Sequence, residues 1–488
     1  MATGADRKGA GRWSAGLSLW VGIALAFLAS LPFLVSTKPM QGDYPSHLAR
    51  YHVMFEREGN AFLERYYGFD WAWTGNLGAD LLMLPLGSVL GVEAAAWLIA
   101  FSLPILTGLA ILAVEWTLRG RIGVGSLLAF AFIWSPSMLM GFANFSLSVA
   151  LALFGFAAWV RLEGRAWRAP LFIAVGALVW LAHSAGWGVL GVLVFGYEWH
   201  RSKSWRAFLA PWPLFLPFLL IAAEPGIGGT FDYGESAPTY KLAIWLKALS
   251  DRSMQFDIIS LLLVLLAIGF AAHARKIDGR LAWAALALAA LTILMPRHFG
   301  GGDFADRRLI PVALMVGCLA IDLRARGWLL VLAPALFLVR LGVTTVGWER
   351  EGKQMDAALL ALEQVPRGAR VAGAWSYFVG RWGPDAFAHA PSYATTYRDA
   401  LVNTHFALEG VHMLSVRGAK PPFSDPTQRV LAAPGETVDL SGFEPAEQAD
   451  YLWYFGENEV SALPAGAQVL HTTDISLLAR VAKRPPSR

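Results

Sequence analysis

SAGLSLWVGIALAFLASLPFLV, residues 14–35, is the stretch whose reading decides the fold. It runs for 22 residues without a charge. A helix of that length spans the ~30 Å hydrocarbon layer of a bilayer. Arg7, Lys8 and Arg12 precede it. A signal peptide has a shorter apolar core and a small-residue cleavage site, so this run reads as an uncleaved first membrane helix.

Runs of the same kind recur through residues 14–346, and the whole-chain composition follows from them. Of 488 residues, 56% are hydrophobic and only 16% charged, against ~25% charged in a soluble globular chain. The mean hydropathy is +0.47. The net charge of +4 is small and dispersed, which gives no basic patch for nucleic acid. Cys318 is the one cysteine, so no disulfide framework or cysteine-based metal site forms within one chain. Spans are expected near 14–36, 93–117, 122–140, 144–162, 169–183, 185–199, 206–223, 255–273, 280–296, 308–324 and 327–346. The fold class is therefore an all-α polytopic membrane domain of about eleven helices over 1–346, followed by a small soluble α/β domain over 347–488.

The connections sort by charge. Arg7/Lys8/Arg12, Arg119/Arg121, Arg161/Arg165/Arg168, Arg201/Lys203/Arg206, Arg275/Lys276/Arg280 and Arg324/Arg326 all fall on one side if the spans are counted this way. Short loops rich in Lys and Arg stay cytoplasmic. The N-terminus is then cytoplasmic and the C-terminal domain periplasmic, in a bacterial inner membrane. The apolar but short segment 76–92, interrupted by Pro85, must not cross, since a crossing would invert every later loop. It is expected as a re-entrant or interfacial helix. Trp134, Trp180, Tyr197, Trp199, Trp212, Trp328 and Trp348 sit at span ends, where aromatic residues anchor to the interface.

In the last third, residues 353–364 form an amphipathic stretch, Pro366-Arg367-Gly368 a turn and Arg370–Trp375 a strand. Segments 450–455, 467–471 and 474–482 also read as strands. Outer loops are expected at 37–80, 224–254 and 297–307. Loop 224–254 carries Glu224, Asp232, Tyr233, Glu235, Tyr240, Lys241 and Lys247, a set that suits sugar binding or a solvated loop equally.

The first outer loop opens Lys38-Pro39-Met40-Gln41-Gly42-Asp43-Tyr44-Pro45-Ser46-His47-Leu48-Ala49-Arg50. A Gly-Asp-Tyr-Pro turn beside a helix end presents a carboxylate at the membrane surface. A helix starting near Pro45 puts His47 and Arg50 on one face. Asp43 and His47, four residues apart, could converge on one substrate; the alternative is that Asp43 only caps that helix. The last outer loop reads Arg297-His298-Phe299-Gly300-Gly301-Gly302-Asp303-Phe304-Ala305-Asp306-Arg307-Arg308. Arginine there opposes the positive-inside tendency, and guanidinium groups grip phosphate oxygens in pairs. The alternative is that Asp303 and Asp306 merely neutralise Arg307 and Arg308. His183 lies at a span end on the same side.

An uncleaved first helix, a long outer loop with an acidic residue just past the membrane, many further spans and a terminal outer domain together resemble the GT-C superfamily of membrane glycosyltransferases. That superfamily includes protein O-mannosyltransferases and lipid A aminoarabinose transferases. The resemblance implies a polyprenyl-phosphate sugar donor and an acidic catalytic base in the first outer loop, which falls on Asp43. Two departures stand out. Asp43-Tyr44 replaces a paired acid, and 135–145 (SPSMLMGFANF) lacks a second acidic motif, so no metal or other cofactor is expected.

The implied reaction transfers a sugar to a lipid, glycan or protein acceptor among the membrane lipids. Asp43 and His47 are then the catalytic candidates. Arg297, His298, Arg307 and Arg308 would bind the donor phosphate, with Arg50, His183, Asp303 and Asp306 contacting substrate. The competing readings are a transporter or flippase for a lipid-linked or glycan substrate, and a non-catalytic envelope assembly protein. Ion-coupled transport needs ionisable groups within the membrane, and here the charges gather at one surface instead.

Overall fold

The computed structural model describes residues 4–216, 219, 230–234, 236–300, 303–407, 412–419, 423 and 429–482. Glu224, Glu235, Gly301 and Gly302, named above, lie outside the described residues. The N-terminal run forms α1 (Gly4–Leu28), and Pro32 then falls in a 3-10 turn, Leu31–Leu34. There follow α2 (Tyr44–Glu56), α3 (Ala61–Tyr66), α4 (Gly78–Leu90), α5 (Val92–Arg119), α6 (Val124–Ala129), α7 (Pro136–Met140), α8 (Ala143–Arg161), α9 (Arg168–Ala182) and α10 (Ser184–Ser202). The later helices are α11 (Ala237–Leu246), α12 (Met254–His273), α13 (Gly279–Leu294), α14 (Ala305–Leu319), α15 (Leu329–Leu359) and the short α16 (Tyr393–Arg398).

Among the described residues, α5, α8, α12 and the helical run Leu329–Gln364 are each long and apolar enough to cross a membrane. Leu262, Leu263, Leu266 and Phe270 of α12 point outward and exposed, as on a helix bathed in acyl chains. Besides 14–36, where α1 gives way to a 3-10 turn after Leu28, two expected spans are not continuous helices. Residues 122–140 break into α6, a 3-10 turn at Phe130–Phe132, and α7. Pro136 starts α7 because its missing N–H costs nothing in a first turn. The described part of 206–223 is a pair of 3-10 turns, Trp205–Phe208 and Trp212–Phe215, around Pro211 and Pro213.

The bundle has two distinct ends. At one, Arg119 binds Glu115, Asp278 (3.1 Å) and the Leu319 carbonyl (3.0 Å). Arg121 pairs with Asp322, Arg280 with Asp278, and Gly123 bridges to Arg324. Gly279 packs on His200, whose neighbour Arg201 pairs with Glu163. The arginine-bearing loops near 120, 163, 201, 278 and 324 thus share one end. At the other end Leu77 N donates to the Leu181 carbonyl at 2.7 Å, while Lys38 pairs with Glu93 at 3.0 Å. Both ends of α4 therefore lie at this second end, so α4 runs across the bundle without traversing it.

The C-terminal domain sits on that second end. The strands of the chain are β1 (Tyr67–Phe69), β2 (Thr230–Asp232), β3 (His298–Gly300), β4 (Arg370–Tyr377), β5 (Leu401–Val402), β6 (Leu414–Val416), β7 (Arg429–Leu431), β8 (Val438–Asp439), β9 (Tyr451–Phe455), β10 (Val460–Ala462), β11 (Gln468–Thr472) and β12 (Ser476–Arg480). A six-stranded mixed sheet runs β11-β12-β9-β4-β5, with β7 beside β4. Its centre, β4 against β9, is parallel and covered on both faces, which is why Val371–Trp375 and Tyr451–Phe455 are buried without alternation. β1, from the first loop, pairs with β6 of the domain. Tyr67 Oη donates to the Ala400 carbonyl at 2.8 Å and accepts from Val402 N at 3.0 Å. The domain has no hinge of its own at residue 346: α15 continues unbroken to Leu359.

The aromatic anchors divide. Trp212 and Trp328 are exposed, whereas Trp134, Trp180, Tyr197 and Trp348 are buried. Trp134 and Trp348 meet edge to face at 5.1 Å beside Phe33. These rings fill the space between helix ends, so the anchoring role expected for those four is corrected to core packing.

Candidate active site

Asp43 occupies the position that would cap α2, yet its side chain makes no capping hydrogen bond. The backbone explains its placement. Asp43 N donates to the Met140 carbonyl at 2.8 Å, and Gln41 Nε2 donates to that of Met138 at 2.6 Å. A Cβ on Gly42 would lie 2.6 Å from the Asp385 carbonyl oxygen. Gly141, at φ +89°, closes the α7–α8 turn beside the loop, where an added Cβ would lie 3.2 Å from Gln41 Cβ and 3.4 Å from Asp43 Cβ. The carboxylate is thus wedged between the α7–α8 turn and the domain segment around Asp385. Its Oδ1 lies 3.9 Å from His389 Nε2.

His47 follows one turn later and is half-buried, with its ring 6.5 Å from Tyr51 and 5.7 Å from Phe406. Burial first, then the charge of Arg50, holds its pKa well below the ordinary value. Phe406 is also 4.6 Å from His389 and 5.8 Å from His412. Asp43 and His47 converge on a wall made partly by the C-terminal domain. Arg50, expected to touch substrate, is instead buried against Asp80 at 2.7 Å. Asn144 holds the other side of this pair, accepting from Ala79 N at 2.5 Å. Arg50 therefore fastens α2 to α4.

In the last loop the acids do not neutralise Arg307 and Arg308. Asp303 takes Arg297 Nε at 3.3 Å and His298 Nδ1 at 3.2 Å. Asp306 is fully buried on Lys241 Nζ at 2.5 Å, which also donates to the Met295 carbonyl. Substrate contact is thereby closed to Asp306, whose role is to fix the loop. Arg297 lies over Tyr240 and Phe304, both at 5.2 Å. Arg307 reaches Ser250 Oγ at 3.4 Å and Phe304 at 5.6 Å. Arg308 stacks 4.1 Å over Phe142, and its Nη1 is 3.1 Å from His183 Nε2. Among the described residues neither Arg307 nor Arg308 makes an ion pair, and the Nε of each is buried without a hydrogen-bond partner.

Phe142 directly follows Gly141, the residue against Asp43. Asp43 and Asp303 are the carboxylates whose charge reaches Arg308. Asp43, His183 and Arg308 accordingly share one neighbourhood, although Asp43 and Arg308 are 265 positions apart in sequence order. Arg308 also lines a small internal cavity with Thr107, Ser135, Ser137, Ser146 and Met315.

Two groups carried no recognisable spacing in the sequence. His389 belongs to the sheet domain and reaches Asp43 only through docking. Lys247 stands in the 224–254 loop; its Nζ donates to the Arg381 carbonyl at 2.7 Å and lies 5.7 Å from the Trp382 ring. Burial, then the nearby Arg307 charge, lowers its pKa. Among the described residues no group of three His, Cys, Asp or Glu side chains could hold a metal ion.

No family model matches the sequence, and no curated protein matches it. Among solved structures, the crystal structure of ArnT from Cupriavidus metallidurans bound to undecaprenyl phosphate is similar. The likeness has a TM-score of 0.50 at 12% identity and covers 95% of this chain and 98% of that one. At such identity it is a likeness of fold, and it extends from the first helix into the sheet domain. With its apolar helices and its terminal sheet domain, this chain has the fold of that ArnT structure.

Proposed function

We propose that this protein is a GT-C-type transferase that moves a sugar from a polyprenyl-phosphate carrier to an acceptor hydroxyl or amine at the membrane surface. The observation that carries the reading is the shared neighbourhood of Asp43 and Arg308, with Arg307 next to Arg308 in the chain. A carboxylate with no capping role lies near the half-buried Arg308, and Arg307 and Arg308 make no ion pair among the described residues while the Nε of each is buried without a hydrogen-bond partner. Uncompensated buried charge is costly, so a site that keeps two such arginines is built for an anion.

In this mechanism the acceptor attacks the anomeric carbon, its proton passes to Asp43, and the sugar–phosphate bond breaks with its electron pair on the phosphate oxygen. Arg308 and Arg307, with Lys247 and the Arg297–His298 edge, stabilise the charge that develops there. His183 orients Arg308. These groups lie at the end opposite the arginine-rich loops, which supports a periplasmic site if the positive-inside orientation holds. Some of the eleven expected crossings are then made by broken helices, which a bundle interior tolerates where neighbours satisfy the freed backbone groups.

The test is release of undecaprenyl phosphate from a panel of undecaprenyl-phosphate hexoses and pentoses by the purified protein supplied with lipid, glycan and peptide acceptors. Wild type is expected to turn over at least one. Asp43→Asn should be about 100- to 10,000-fold slower, the range for loss of a general base, with unchanged thermal unfolding. Wild-type turnover in Asp43→Asn, or no turnover of any panel member by wild type, refutes the proposal.

A further inference from the structure

We infer that His389, from the C-terminal domain, takes part in the reaction by exchanging a proton with Asp43, so that the domain completes the catalytic site. This rests on the function proposed above.

The argument begins with the tautomer. His389 Nδ1 lies 2.7 Å from the Thr404 carbonyl oxygen. A carbonyl only accepts, so Nδ1 carries the hydrogen and a neutral ring has its lone pair on Nε2. Nε2 faces Asp43 Oδ1 at 3.9 Å. Two lone-pair sites face one another across that gap, on side chains only 8% and 14% exposed, so the pair is placed to take up one proton between them when the acceptor releases it. Among the described residues His47, His405 and His412 lie around the ring and are each held neutral chiefly by burial, while Asp385 and Arg308 flank Asp43. Ser392 and Thr404, which bond to each other at 2.7 Å, fix the strand edge that carries the anchoring carbonyl.

During transfer the acceptor's proton moves to Asp43, and then to His389 Nε2, as the new sugar bond forms and the phosphate leaves. Asp43 is thereby returned to its ionised form before product departs, and the imidazolium gives its proton to water afterwards. His389 acts through Asp43 and is a positioning and proton-holding residue. The close approach that permits this is set by the domain, since the Asp385 carbonyl sits against Gly42.

The experiment compares wild type, His389→Asn and His389→Gln on whichever panel donor turns over fastest. Asn keeps an amide near the Nδ1 position to donate to Thr404 but removes the group facing Asp43. Gln puts near Nε2 an amide nitrogen that cannot accept a proton. Both variants should lose about 10- to 100-fold in kcat with KM within about threefold, and the limb of the kcat–pH profile set by the imidazole should vanish. Thermal unfolding of His389→Asn should match wild type. An unaltered pH profile in both variants overturns the inference, as does a loss that appears only in KM or only with a loss of thermal stability. If Asp43→Asn is inactive while the His389 variants behave as wild type, this inference alone fails. An active Asp43→Asn, or no donor turned over, removes the functional reading and this inference together.

Discussion

Replacing Asp80 by Asn should destabilise the protein by about 3–5 kcal/mol, and the reason lies in one buried contact. Arg50 Nη2 and Asp80 Oδ1 are 2.7 Å apart, with side chains 9% and 0% exposed. At an effective dielectric of 20 their attraction is about 6 kcal/mol, opposed by several kcal/mol of lost hydration for each ion. The net worth of the intact pair is therefore small. Removing one partner leaves the other charge buried and uncompensated, and the loss is large. Arg50→Met should cost as much as Asp80→Asn. The double variant Arg50→Met/Asp80→Leu should recover at least about 2 kcal/mol relative to the sum of the single changes, as coupled neighbours do. Denaturant unfolding in detergent micelles, followed by tryptophan fluorescence, measures the cycle. Because the pair fastens α2, which carries Asp43, to α4, turnover should fall in both single variants and return in part in the double. Additive losses, with a double variant as unstable as the sum, would refute the reasoning.

Other outcomes follow from neighbouring contacts. Arg308→Met should abolish the thermal stabilisation that undecaprenyl phosphate gives the wild type, whereas Arg297→Met, whose guanidinium is engaged by Asp303, should only weaken it. Arg340→Leu leaves Asp257 buried with Trp382 as its remaining side-chain donor and should cost about 3–5 kcal/mol in the same unfolding assay. Gly42→Ala drives a methyl against the Asp385 carbonyl at 2.6 Å and should lower turnover at least about tenfold by displacing Asp43, since misplacement by about 1 Å costs on the order of 100-fold. Burial pulls the pKa of His405 down to about 3 and of His412 to about 4. The unfolded chain then binds more protons below the ordinary value near 6.5, so stability is full above that pH and falls as pH drops toward the folded values. Between pH 7 and pH 5 each should cost about 2 kcal/mol, and replacing either by Phe should flatten that part of the unfolding profile.

The chain's own pattern was enough for the membrane domain in outline, and particular residues show why. Length and lack of charge in α5, α8 and α12 are local properties, and a bilayer selects on them directly. The alternation of arginine-bearing loops is equally local, and the structure gathers those loops at one end. Strands β4, β9, β11 and β12 could be read from short apolar runs between turn residues. Composition could not reveal the breaks at Ser135–Pro136 and Pro211–Pro213, because tertiary neighbours decide whether a proline interrupts or merely bends an apolar helix. Nor could it show which tryptophans face lipid and which, like Trp348, fill the core.

By itself the sequence determined that a carboxylate stands just past the first helix and that arginines cluster around the start of α14, since both are matters of order along the chain. Only the tertiary structure decided how those charges are shared out. Asp303 and Asp306 are engaged by Arg297, His298 and Lys241, which leaves Arg307 and Arg308 without ion pairs among the described residues, while Asp80 claims Arg50. The same is true of His389, which meets Asp43 from 346 positions away. Charge pairing acts over a few ångströms in space, and sequence separation carries no information about that distance once a sheet domain folds back onto the loop where the chain first left the membrane.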